Sequence, residues 1–82
     1  MTSQELEKEM KELVARVIGI SPLKLLPDAD FARDLDVDSM KAIEITGAIE
    51  KTFKIIVPEE QIRKIRTLNQ ATTLAKQLLN LK

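Results

Sequence analysis

The sequence predicts an all-α fold, a small four-helix bundle with three long helices, one short helix and a long ordered loop between helices one and two. Apolar residues recur at helical spacing in separate segments, and capping residues stand at the starts of those segments. Only two of the 82 residues are aromatic, so aliphatic side chains must fill the core. A chain of this length supports one core, and we expect a single domain over residues 1–82.

The first helix has clear start and stop signals. Thr2 and Glu5 match the T-x-x-E pattern of a capping box. Gly19 can take the left-handed conformation that ends a helix, with Ile20 folding back beyond it, and Pro22 prevents continuation. The apolar residues at helical spacing between these signals are Leu6, Met10, Leu13, Val14 and Val17.

The segment from Ser21 to Asp38 loses the helical period and contains two prolines and five aspartates. Such a long loop in a small domain is usually functional or disordered. We expect an ordered loop, because apolar anchors recur along it: Leu23, Leu25, Leu26, Phe31 and Leu35.

Three further helices complete the predicted bundle. Asp38 is a suitable N-cap for a second helix from about Ser39 to Thr52, and Pro58 suits the first position of a short third helix. Thr67 and Gln70 predict a capping box at the start of the last helix. The expected core consists of Leu6, Leu13, Val17, Phe31, Ile49, Phe53, Ile62, Leu74 and Leu78.

Composition excludes several kinds of chemistry. The chain has no Cys and no His, so disulfides, Cys/His metal sites, thiolate nucleophiles and imidazole bases are absent. No apolar run approaches the roughly 18 residues that a membrane span requires. We expect no membrane association, and a cytoplasmic location if the source is bacterial.

The zero net charge is unevenly distributed along the chain. Residues 28–50 hold seven acids and two bases, whereas residues 61–82 hold five bases and no acid. The acid-rich part of the molecule should attract basic partners.

Ser39 is the residue whose position suggests chemistry. It lies at the predicted start of a helix, where unpaired N–H groups and the helix dipole favour a phosphate. Asp36 and Asp38 stand next to it, and a hard divalent cation could bridge them while such a group is attached.

The run Asp34-Leu-Asp-Val-Asp-Ser-Met40 resembles the D-L-G-x-D-S-L signature of acyl and peptidyl carrier proteins. The resemblance continues through Phe31, Glu44, Glu50, Phe53, the Ile-x-Val-Pro segment and the last helix, and so covers nearly the whole chain. It implies that Ser39 receives a covalent 4′-phosphopantetheine arm from coenzyme A. The thiol that this chain lacks would then be supplied by the arm.

The resemblance also implies a function and partners. The chain would be an acyl carrier protein, not an enzyme, holding acyl intermediates as thioesters for enzymes of fatty-acid, polyketide or related biosynthesis. Its partners would be a phosphopantetheinyl transferase and acyl-transferring, condensing or ligating enzymes, with an acyl chain as cargo. We expect a monomer without nucleic-acid partners. The expected docking residues around Ser39 are Asp38, Met40, Ile43, Glu44, Gly47 and Glu50. Alternatively, Ile43 could lie at the boundary of this face and help to line a pocket for the acyl chain.

Four positions depart from the usual family pattern. Asp36 stands where glycine is common, and Gly47 stands where a larger apolar residue is common. Lys41 and Lys51 replace residues that are often acidic. These changes affect partner choice rather than attachment of the arm.

The sequence is also compatible with two other functions. The chain could be a helical interaction module without a prosthetic group, or Arg63, Lys64 and Arg66 could belong to a helix-turn-helix that binds nucleic acid. A solvated basic face explains those three residues better, because the net charge is zero. Asp34, Asp36 and Asp38 resemble the start of an EF-hand loop, but the required glycine and glutamate are missing and no metal site is expected.

Overall fold

The computed structural model describes residues 1–81, and their secondary structure is entirely helical. The helices are α1 (Ser3–Ile18), α2 (Phe31–Asp34), α3 (Ser39–Phe53), α4 (Glu59–Ile62) and α5 (Leu68–Leu78). A single 3-10 turn, Pro22–Lys24, lies between α1 and α2. The predicted all-α bundle with three long helices is confirmed, and its four predicted helices correspond to α1, α3, α4 and α5.

Both ends of α1 form as the sequence predicts. The Thr2 hydroxyl accepts a hydrogen bond from the Glu5 N–H at 3.1 Å, and the Glu5 carboxylate accepts one from the Thr2 N–H at 2.8 Å. Gly19 takes a left-handed φ of 90° and donates its N–H to the Ala15 carbonyl, as does Ile20. The capping box and the glycine cap therefore fix both ends of the helix.

The later helices differ from prediction only at their ends. Asp38 caps α3 as expected, but Pro58 is the N-cap of α4 and not its first residue. Thr67 caps α5 by accepting the Gln70 N–H, while the Gln70 carboxamide accepts the Arg66 N–H. Only the threonine half of that capping box is therefore present.

The loop between α1 and α3 is ordered, as predicted, but it contains the short helix α2, which the sequence pattern does not predict. Asp30 caps this helix by accepting the N–H groups of Ala32 and Arg33 at 3.0 and 2.9 Å. Asp34 returns a bond by accepting the Asp30 N–H at 2.8 Å. A four-residue helix is too short to show a helical period of apolar residues, so Asp30 and Asp34 are the only local sequence features that indicate it.

The core lies where α1 packs against α3 and α5. Of the expected core residues, Leu6, Leu13, Phe31, Ile49 and Phe53 are buried. The remaining four, Val17, Ile62, Leu74 and Leu78, are only partly buried and pack against its edge. Across residues 1–81, no helix is both long and apolar enough to cross a bilayer.

Candidate functional site

Ser39 is the first residue of α3 and is exposed to solvent. Within residues 1–81, its hydroxyl has no hydrogen-bond partner. The Asp38 carboxylate accepts the Lys41 N–H at 2.8 Å and so fixes the start of the helix. Because the first-turn N–H groups of a helix have no acceptor inside it, a phosphate on Ser39 would meet unpaired donors and the positive end of the helix dipole.

The backbone just before Ser39 turns sharply. Asp36 has a left-handed φ of 60°, a conformation that glycine adopts without strain and aspartate tolerates better than most residues. The Val37 N–H then donates to the Phe31 carbonyl at 2.9 Å, and the Val37 side chain is buried. This turn delivers Asp38 and Ser39 to the helix start, and its left-handed conformation suits the glycine of the D-L-G-x-D-S-L signature that Asp36 replaces.

Four of the predicted docking residues lie on the exposed side of α3. Met40 and Ile43 are 74% and 66% exposed, which is unusual for large apolar side chains. Glu44 and Gly47 are also exposed, and a Cβ added to Gly47 would meet nothing within 4 Å. Spacings of three and four residues place these positions on adjoining parts of one helix face.

The two glutamates of the predicted face differ in their surroundings. Glu44 is exposed and forms an ion pair with Lys41 at 3.1 Å, one helical turn earlier. Glu50 is only partly exposed, and its carboxylate accepts the Val57 N–H at 2.9 Å. Glu50 therefore holds the end of α3 against the segment that leads into α4, a role that the sequence pattern did not reveal.

A cleft of about 640 Å³ opens beside Ser39, within the size range typical of ligand pockets. Buried Phe31 and Val37 form part of its apolar surface, and Ile43 lies at its edge. Its lining residues are Asp30, Phe31, Ala32, Val37, Asp38, Ser39, Ala42, Ile43, Glu59, Ile62, Arg63, Ile65 and Arg66.

Two walls of the cleft are joined directly. Arg66 forms an ion pair with Asp30 at 3.4 Å, and the Phe31 N–H donates to the Arg66 carbonyl at 2.8 Å. The hydrogen bond from the Arg33 N–H lowers the pKa of Asp30 below its ordinary value, and the charge of Arg66 and the Ala32 N–H act in the same direction. Burial opposes this shift but does not reverse it. Asp30 is therefore ionised at neutral pH and remains paired.

The basic residues after α4 lie in different places. Arg63 and Arg66 line the cleft beside Ser39, whereas Lys64 does not. All three residues are exposed, as expected of a solvated face, but no local sequence pattern shows that this segment folds back toward the start of α3. Among residues 1–81, no group of three or more Asp or Glu residues is arranged to hold a metal ion.

Comparisons with known proteins agree with this geometry. The model of a family described as "phosphopantetheine attachment site" matches residues 8–75. The acyl carrier protein of Petrotoga mobilis is 32% identical over 81 residues, covering 99% of this chain and 95% of that protein. The acyl carrier protein of Thermosynechococcus vestitus is 34% identical over 68 residues, covering 83% and 84% of the two chains.

The match over residues 8–75 identifies a phosphopantetheine-binding carrier domain. The chain belongs to the acyl carrier protein family. Members of this family are carriers and not catalysts, and they work with a covalently attached 4′-phosphopantetheine. The residues present fit that group, since an unpaired hydroxyl lies at a helix N-terminus beside a cleft with an apolar surface.

Proposed function

We propose that Ser39 carries the 4′-phosphopantetheine arm and that the chain holds acyl intermediates on it as thioesters. The observation that carries this proposal is the exposed, unpaired Ser39 hydroxyl at the first residue of α3, in the Asp38-Ser39-Met40 context of the family signature. The residues after Ser39 present a solvent-facing surface to an enzyme, which needs access to the attachment point.

Attachment needs little from the carrier itself. Ser39 Oγ forms a bond to the phosphorus of coenzyme A that bears the pantetheine, and the P–O bond from that phosphorus to the bridging pyrophosphate oxygen breaks. Adenosine 3′,5′-bisphosphate departs, and the hydroxyl proton passes to a base on the transferase. The start of α3 supplies donors and a positive dipole end to the phosphate. Asp36 and Asp38 are exposed and near in sequence, and they can share a divalent cation with the phosphates during transfer.

We also propose that the side of α3 next to Ser39 is the surface that docks on partner enzymes. Asp38, Met40, Ile43, Glu44 and Gly47 form this docking face, with Glu50 at its edge. The arm must enter an active site, so its attachment point has to lie within the contact surface. Met40 and Ile43 supply apolar contact area, and the acids raise the rate of encounter with basic enzymes.

We further propose a cargo, a cellular location and partner enzymes for this carrier. The cargo is an acyl chain of fatty-acid, polyketide or related biosynthesis, and the cleft beside Ser39 can shelter its apolar part. The chain acts as one domain and a monomer in the cytoplasm. The partners are a phosphopantetheinyl transferase and enzymes that transfer, condense or ligate acyl groups.

Intact mass measures the carrier role directly. After incubation with coenzyme A, magnesium and a broad-specificity phosphopantetheinyl transferase, we expect the protein to gain the mass of one arm. A helical interaction module without a prosthetic group would keep its mass, and that result would contradict the proposal.

Charge reversal at Glu44 tests the docking face. The Glu44→Lys variant should slow arm transfer by the transferase and weaken the dependence of the rate on salt, because an attractive charge becomes repulsive. The matched control is Glu9→Lys, an equal charge change at an exposed position of α1. Equal slowing by the two variants would show that net charge alone matters and would contradict the face.

A further inference from the structure

The cleft beside Ser39 contains a cationic side chain, that of Arg63, that forms no ion pair with residues 1–81. Arg63 and Arg66 are the two cationic residues of the cleft lining. Arg66 is engaged with Asp30, whereas none of the ion pairs or side-chain hydrogen bonds formed by residues 1–81 includes the Arg63 guanidinium. Glu59 lies one helical turn before Arg63 and also lines the cleft, but these two side chains form no ion pair.

The surroundings of Ser39 make a free cation significant. A phosphodiester on Ser39 adds a negative charge next to exposed Asp38 and three residues after exposed Asp36, and repulsion from these acids opposes it. The nearest base along α3 is Lys41, which is paired with Glu44. Among the described residues of the cleft, Arg63 is therefore the cation that remains available to an anion at Ser39.

The geometry points to Arg63 as the residue that binds the phosphodiester of the arm once Ser39 is modified. This inference rests on the proposed attachment at Ser39. A guanidinium suits the role, because its planar N–H groups can donate two parallel hydrogen bonds to two phosphate oxygens. Since Ser39 and Arg63 line the same cleft, this contact would draw the root of the arm over the cleft and direct the cargo toward its apolar surface.

The test compares the unmodified and arm-bearing forms of the same variant, which removes any effect of the substitution on the fold itself. The arm is attached with coenzyme A, magnesium and a phosphopantetheinyl transferase, and completion is checked by mass. Tm is then measured for both forms of the wild type, Arg63→Gln, Arg63→Lys and the matched control Lys64→Gln. Lys64 is an exposed neighbouring base outside the cleft lining.

In low salt, we expect the arm to raise the Tm of the wild type and of Lys64→Gln by roughly 2 to 4 °C, the size expected for an exposed ion pair in a small domain. Arg63→Gln should lose this increase, and Arg63→Lys should retain part of it. A high salt concentration should remove the increase from the wild type. The ³¹P resonance of the arm should also differ between the wild type and Arg63→Gln.

The possible failures are distinct. No mass gain on the wild type contradicts the proposed function itself. A normal mass gain with the same Tm increase in the wild type and Arg63→Gln overturns the role of Arg63 and leaves the carrier function intact. An increase that depends on Arg63 without any change in the ³¹P resonance assigns the contact to amide or hydroxyl oxygens of the arm, and also overturns phosphate binding.

Discussion

The Glu50 carboxylate accepts the backbone N–H of Val57 at 2.9 Å and is only partly exposed. This hydrogen bond gives Glu50 a structural role that Glu44 does not have. The family resemblance predicts that Glu50 and Glu44 are both acidic docking residues. In the structure, Glu44 is exposed and pairs with Lys41 of its own helix, whereas Glu50 accepts a bond from the backbone of the next segment. A hydrogen bond across seven residues in a loop has no sequence pattern, so it could not be predicted.

Two substitutions at Glu50 test whether its hydrogen bond to Val57 stabilises the fold. Glu50→Gln keeps an oxygen that can accept the Val57 N–H, so its stability in urea unfolding should match the wild type. Glu50→Ala removes the acceptor and should lose roughly 1 kcal/mol. If Glu50→Gln is as unstable as Glu50→Ala, the hydrogen bond is not what Glu50 contributes to the fold.

The unusual backbone conformation of Asp36 could be anticipated from the sequence. The family pattern favours glycine there, and the structure shows the reason in its left-handed φ of 60°. Ser39 could also be predicted as the candidate site, because the cap, the helix start and the signature all lie within a few consecutive residues. The cleft that Ser39 lines could not be predicted, because its walls come from three separate segments.

Helices with clear capping residues in the sequence were predicted correctly. The T-x-x-E box and Gly19 determine the two ends of α1, and Asp38 marks the start of α3. Helix α2 was missed because its four residues are held by reciprocal aspartate bonds and by the Phe31 bond to Arg66, a contact distant in sequence. Short elements of this kind depend on tertiary contacts more than on periodicity.

The two glycines of the chain allow a matched test of helix energetics. Gly47 lies inside α3 with open space around its Cβ position, so Gly47→Ala should gain about 0.5 to 1 kcal/mol in urea unfolding from its better helix propensity. Gly19 also has open space but a φ of 90°, so Gly19→Ala should lose about 1 kcal/mol. A loss of stability in Gly47→Ala would show that its conformation in α3 is misassigned.

One apolar core holds the three long helices and the ordered loop together. Phe31 from α2 and Leu25 from the loop are both buried with the residues of α1, α3 and α5. The same helix α3 that contributes Ile45, Ile49 and Phe53 to this core turns Met40 and Ile43 toward solvent. The core and the proposed docking face therefore lie on different sides of one helix.

Two isoleucines of α3 test this division. Ile49 is 2% exposed, and Ile49→Ala should cost about 2 to 5 kcal/mol in urea unfolding. Ile43 is 66% exposed, and Ile43→Ala should leave stability within about 0.5 kcal/mol of wild type while slowing arm transfer. A loss below about 0.5 kcal/mol for Ile49→Ala would mean that the buried face of α3 is wrongly assigned.

The central claim is that Ser39 carries the arm, and intact mass of the Ser39→Ala variant measures it most directly. Ser39 is exposed and its hydroxyl is unpaired within residues 1–81, so the variant should show the helical circular dichroism of the wild type. After incubation with coenzyme A, magnesium and the transferase, the wild type should gain one arm and Ser39→Ala none, with Ser21→Ala behaving like the wild type. A folded Ser39→Ala protein that still gains the arm would contradict the account.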